Sequence, residues 1–143
     1  MLQPSLVADV LGGAAILGAS VHSAQELEAA IHHGLPKRAL RLTLDRGCAS
    51  AQHAREMLYR VVPEATFKRR NRLTPVESER TERLARLIAA AEYVWDNRDD
   101  AREWLTRPHP ELENRPPLEA ALSELGARRA EELLDRLFYG IPA

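Results

Sequence analysis

Thr74-Pro75-Val76-Glu77 is the clearest helix start in the chain: a capping threonine, a proline in the first turn and a glutamate three residues after the cap. Leu84, Leu87, Ile88, Ala91, Val94 and Trp95 then hold helical period over about twenty residues, with Arg80, Arg83, Arg86 and Glu92 on the other sides. An amphipathic helix of that length in the middle of 143 residues must join two halves and pack on both. Alanine, leucine, arginine and glutamate dominate, only 5% of residues are aromatic, and no stretch alternates with period two. These features predict an all-α fold, with one region over 1–72 and a second over 73–143. The long helix is also the candidate surface for pairing with a second copy.

Short helices fill the first half. Leu6, Val7, Val10 and Leu11 form an apolar stripe ended by Gly12 and Gly13, and a Gly- and Ala-rich connection leads to Ser23, which with Glu26 spells a capping box. The next helix carries Leu27, Ala30 and Ile31 on one side and stops at Gly34. Pro36 suits a first helical position, and Ala39, Leu40, Leu42 and Leu44 spread widely round the helix that Gly47 ends, which predicts the most buried helix of this half. Ser50 caps a segment in which Ala51, Ala54, Met57 and Leu58 share a face, until Val61-Val62-Pro63 breaks it. The basic stretch EATFKRRNR, Glu64 to Arg72, follows, with Ala65 and Phe67 as its apolar residues. Two short helices about a tight break, the second positively charged, outline a helix-turn-helix.

Beyond the long helix, Asp96-Asn97 marks a turn, and a short helix runs from about Asp99 to Leu105 with Trp104 inward. The Pro-rich segment Arg107 to Pro117 reads as an ordered loop wrapping the domain. Ala130, Leu133, Leu134, Leu137 and Phe138 define a last helix stopped by Gly140, leaving Ile141, Pro142 and Ala143. A short apolar tail whose exit direction is set by Gly140 and Pro142 reads as a segment presented to another protein.

Charge divides along the same line. Residues 1–72 carry ten Lys/Arg against six Asp/Glu, a balance of +4, and residues 73–143 carry ten against fifteen, a balance of −5. Two surfaces with different partners follow, one of them suited to phosphate. Lys68, Arg69, Arg70 and Arg72 are either a solvated charged face or contacts to DNA phosphates, with Glu64 to Arg70 the part that would enter the major groove. Tyr139 is either a lid on the core or a contact residue, whereas Trp95 and Trp104 read as core.

Other chemistry finds little footing. Asp96, Asp99 and Asp100 lack the glycine and distal glutamate of a calcium loop and instead complement a helix start. His32 and His33 are adjacent and point apart on a helix, so no metal site is expected. Cys48 is the sole cysteine and reads as buried; it excludes an internal disulfide and suits a reducing cytoplasm. No catalytic triad, phosphate loop or paired catalytic carboxylates stand out, so neither an enzyme nor a cofactor is expected. No run of eighteen apolar residues exists, and the apolar N-terminus lacks a basic leader and carries Asp9, so it reads as structure and no membrane partner is expected.

The run VVPEATFKRRNRLTPVESERTERLARLIAAAEYVW, then AREWL, then HPELENRPPLEAALSELGARRAEELLDRLFYGIPA, resembles the Xre/MbcA/ParS antitoxin family, most closely its ParS-like branch, whose chains end in Tyr-Gly-Leu/Ile-Pro-Ala. A weaker likeness reaches back to Leu11-Gly12-Gly13 and Gly34-Leu35-Pro36. The resemblance implies an Xre-like helix-turn-helix region joined to a C-terminal toxin-binding domain. It also implies a partner, a RES-domain toxin that degrades NAD or transfers its ADP-ribose, whose active-site cleft the antitoxin's C-terminal end closes. The positions that match for toxin binding are Arg115, Pro117, Gly126, Tyr139, Gly140, Pro142 and Ala143, with Ile141 between them; for operator DNA they are Thr66, Arg69 and Arg70, beside Lys68 and Arg72. Ala65 stands where relatives commonly carry a basic residue. A homodimer within a toxin–antitoxin assembly and repression of its own operon are expected from the same likeness, and a helix-turn-helix regulator whose C-terminal half only dimerises is the competing class.

Overall fold

Thr74 caps the longest helix as its sequence requires. In the computed structural model, which describes residues 2–140, the Glu77 N–H donates to the Thr74 hydroxyl at 3.1 Å and the Thr74 N–H donates to the Glu77 carboxylate at 2.9 Å. Both orphan donors at the helix start are thereby satisfied. That helix, α7 (Pro75–Trp95), is the spine of an all-α fold.

Among the described residues six helices precede it: α1 (Pro4–Val10), α2 (Gly13–Leu17), α3 (Ala24–His33), α4 (Lys37–Gly47), α5 (Ala51–Val61) and α6 (Glu64–Arg69). After it come α8 (Arg98–Thr106), a 3-10 turn (Pro110–Leu112), α9 (Pro117–Ala120) and α10 (Glu124–Phe138). Four more starts are capped by the side chain just before them: Ser23 for α3, Ser50 for α5, Asn97 for α8 and Ser123 for α10. At α3 the Glu26 carboxylate reaches one residue past the cap and accepts from the His22 N–H.

Helices from both halves pack directly on α7: α1, α3, α4 and α5 from the first, α8, α9 and α10 from the second. Leu84, Ala85, Leu87, Ile88 and Ala91 are enclosed, and with Leu40 and Leu44 of α4, Leu105 of α8 and Leu133 and Leu134 of α10 they belong to one continuous core. As expected, α4 is deeply buried, through Ala39, Leu40, Thr43 and Leu44. The buried Thr43 and Thr81 hydroxyls donate to carbonyl oxygens four residues back, at 2.7 and 2.9 Å, so neither leaves an orphan polar group in the core.

Five expectations change. The Gly/Ala connection after α1 contains α2, and α9 lies at the end of the Pro-rich segment. Pro36 is the residue before α4 and not its first, because its backbone is extended. Trp95 is 39% exposed, since the chain reverses at Asp96 in a left-handed conformation and leaves the last turn of α7 overhanging the core. The middle of α7 is enclosed by its own chain, leaving Val76, Glu79 and Arg80 near its start and Tyr93 and Trp95 at its end exposed, so the long helix does not offer its length to a second copy.

Candidate functional site

The turn between α5 and α6 is Val62-Pro63, with extended backbone at Val62 and Phe67 buried behind it. Phe67 anchors α6: its ring meets Tyr59 edge-on at 6.5 Å between centroids, and the Lys37 ammonium and Arg41 guanidinium of α4 lie 5.0 and 5.4 Å from its centre. Lys37 also donates to the Phe67 carbonyl at 3.1 Å, satisfying part of the open end of α6.

Behind this sits a clamp formed by residues 34–37 and 71–73. The Leu73 N–H donates to the Leu35 carbonyl at 2.8 Å, the Lys37 N–H to the Asn71 carbonyl at 3.2 Å, and Pro36 and Arg72 form an antiparallel bridge. The buried Ser78 hydroxyl accepts from the Leu35 N–H at 2.9 Å, tying the clamp to α7. Gly34, at φ +93°, is required here, because a Cβ would lie 2.6 Å from the Leu73 carbonyl oxygen.

The five basic-segment residues separate into two groups on this frame. Arg70 makes two 2.9 Å hydrogen bonds to Glu77, tying the end of α6 to the spine, and Arg72 donates to the Gly34 carbonyl at 2.7 Å, closing the clamp. Burial opposes ionisation of Glu77, but the Thr74 N–H and the Arg70 guanidinium outweigh it and hold the carboxyl below its ordinary value. Lys68 and Arg69 lie exposed on the outer side of α6, Lys68 paired only with Glu64 one turn away at 2.9 Å. Thr66 is half-buried on the same helix. Exposed Arg38 and Arg41 of α4 and Arg55 of α5 extend the positive charge of the first half, an extension that the basic run alone did not announce, whereas Arg60 of α5 pairs with Glu119 at 3.1 Å.

The second surface is the exit of α10. The Pro-rich segment is closed by the His109–Arg115 bridge and by the Arg115 guanidinium, which donates to the Leu112 carbonyl at 3.0 Å. It is fastened to α10 by Arg129, which donates to the Glu111 carbonyl and both Glu113 oxygens, and by Arg136, which donates to the Glu111 carboxylate at 2.9 Å. Pro117 and Gly126 are buried, Arg115 is half-buried, and Tyr139 and Gly140 are exposed. Ile141, Pro142 and Ala143 lie outside the described residues. Tyr93 and Phe138, absent from the sequence-derived site, come together beside Tyr139; only the meeting of two distant helix ends reveals them.

Among the described residues no group of three or more His, Cys, Asp or Glu is arranged to hold a metal, and no helix is long and apolar enough to cross a membrane. Cys48 is buried, and loss of solvent pushes its thiol up to about 12. These two surfaces on one helical core define a helix-turn-helix protein with an appended helical binding domain. Residues 26–86 match the antitoxin Xre-like helix-turn-helix domain, and residues 90–140 match the antitoxin Xre/MbcA/ParS C-terminal toxin-binding domain. The chain belongs to the Xre/MbcA/ParS antitoxin family. Comparison with curated proteins finds no match.

Proposed function

We propose that this antitoxin neutralises a RES-domain, NAD-consuming toxin by placing the residues that follow α10 in the toxin's active-site cleft. The observation that carries the reading is the end of α10. Tyr139 stands 71% exposed, and a Cβ placed on Gly140, at φ +72°, would meet no described residue beyond its chain neighbours within 4 Å, at the last position of the matched toxin-binding domain. A short segment with one aliphatic side chain and one proline, led out by an exposed tyrosine, suits a pocket built for a nucleotide. Arg115, Pro117 and Gly126 serve this role by fixing the loop and the start of α10, while Tyr139, Gly140, Ile141, Pro142 and Ala143 make the contacts.

The region over 1–72 is proposed to repress the antitoxin's own operon as a cytoplasmic homodimer on a two-fold operator. Lys68 and Arg69 contact phosphates and Thr66 lies at the groove, while Arg70 and Arg72 hold α6 at the angle that allows it. The region over 73–143 is proposed as the toxin-binding part, with α7 belonging to both.

The test is NAD turnover by the RES-domain toxin of the same operon, titrated with the full chain and with the chain ending at Gly140. Inhibition by the full chain alone is expected. Equal inhibition by both would move the inhibitory contact away from the last three residues.

A further inference from the structure

The ends of α7 and α10 expose aromatic rings in one place. Tyr93 and Phe138 are 5.5 Å apart between ring centroids, and Phe138 and Tyr139 are 5.1 Å apart at 84°. One turn earlier on each helix the chain buries Ala89 and Leu134. Tyr93 is nevertheless 59% exposed and Phe138 49%, and Leu6 of α1, 40% exposed, lines with Tyr93 a groove of about 360 Å³. The rest of that groove is largely polar and charged, with Asp96 and Arg98 among its walls. Clustered aromatic and aliphatic side chains inside a charged rim are the anatomy of a protein–protein contact.

We infer that Leu6, Tyr93, Phe138 and Tyr139 form an apolar face that the toxin covers while the segment beyond Gly140 occupies its cleft. This inference rests on the reading of that segment as inhibitory. The geometry favours the toxin over a second copy of this chain for two reasons. Three residues reach at most about 10 Å, so whatever body receives residues 141–143 must stand within that distance of Gly140, against the adjoining rings. Tyr93, Phe138 and Tyr139 also fall within the matched toxin-binding segment, residues 90–140. Leu6 lies outside both matched segments, so α1 adds a contact that the toxin-binding domain by itself does not contain.

The experiment compares the full chain, Tyr93→Ala, Leu6→Ala and the chain ending at Gly140. It measures dissociation from the purified RES-domain toxin, inhibition of NAD turnover, and the mass of the free antitoxin by sedimentation. Tyr93→Ala is expected to speed dissociation about ten- to a hundredfold and Leu6→Ala about fivefold, with thermal melts close to that of the parent, because these side chains are exposed. Binding without inhibition by the truncated chain supports both readings. Inhibition by the truncated chain alongside weak binding of Tyr93→Ala would sink occlusion and keep the apolar face. Loss of inhibition on truncation with parental binding by Tyr93→Ala would overturn the face alone. A lower mass of free Tyr93→Ala with unchanged toxin binding would assign the face to a second copy and also overturn the inference.

Discussion

A methyl group on Gly126 would lie 1.9 Å from the Ala120 carbonyl oxygen and 2.9 Å from the Ser123 hydroxyl, which caps α10 through the Gly126 N–H. Backbone, not a pliable side chain, blocks that space, so Gly126→Ala is expected to cost about 3 kcal/mol, read as a lower urea midpoint. A surface contact glycine would instead leave the midpoint unchanged and weaken only toxin binding. Glu82 makes stability depend on pH. Burial raises its carboxyl above the ordinary value and the nearby Glu131 adds to that, while Arg86, 2.8 Å away, opposes it. A carboxyl raised in the folded state binds its proton more tightly there than in the unfolded chain, so stability falls as pH rises through the window above the ordinary carboxylate value. Glu82→Gln removes that fall. Its midpoint relative to the parent is expected to be higher at pH 7 than at pH 3.5, and a difference independent of pH would contradict the assignment. Glu77 acts in the opposite sense, its contribution being present above the ordinary value and lost on acidification, but it is common to both proteins and cancels.

At the scale of elements, α6 tests whether exposed and clamped cations have different work. On the DNA upstream of the antitoxin's gene, followed by fluorescence anisotropy, Lys68→Ala and Arg69→Ala are each expected to reduce the slope of log affinity against log salt by about 1, with stability nearly unchanged. Arg70→Ala is expected to lower stability by about 1 kcal/mol, since it strips Glu77 of a partner at the capping box. Equal salt-slope changes for all three would show that the pair with Glu77 does not set Arg70 apart. This division explains what the sequence could disclose. Thr74-Glu77, Ser23 and Ser50 announce helix starts because a cap is local, and the charge of α6 is equally local. Arg70's engagement depends on Glu77 folding back across the start of α7, and Arg72's on a carbonyl at Gly34, thirty-eight positions earlier. Local pattern cannot carry such pairings. The short helices escaped for a related reason: α2, with four of its five residues apolar or alanine, and α9, just four residues beginning at Pro117, lack both a side-chain cap and enough length to display a period. Trp95 misled because it keeps the period of α7 to the end, whereas the neighbours that would bury it stop sooner.

Across the whole molecule, the two candidate surfaces are fastened to one helix and to each other. Arg46 of α4 makes hydrogen bonds of 2.5 and 2.8 Å to Glu92 of α7 and one of 3.1 Å to Asp9 of α1, and these bonds, Glu92 first, raise its already high pKa. Arg102 of α8 donates to the Arg46 carbonyl at 3.2 Å, and Arg83 of α7 donates to the Ala121 and Leu122 carbonyls ahead of α10. Such a chain should not unfold in halves, and two native reporters can check this. Trp95 and Trp104 follow the second half by fluorescence, while Cys48, buried at the end of α4 with its thiol pushed up to about 12, reacts with a thiol reagent only when the first half opens. The two signals are expected to share one urea midpoint. Leu87→Ala, which empties a fully buried position on the shared helix, is expected to cost about 2–5 kcal/mol and to shift both signals together. If Cys48 instead became reactive at lower urea than the tryptophan transition, with Leu87→Ala moving only one of the signals, the first half would be an independently folding unit. The 1–72 fragment could then be studied alone. With α3, α4 and α5 resting on α7, that fragment is expected to lack a cooperative melt.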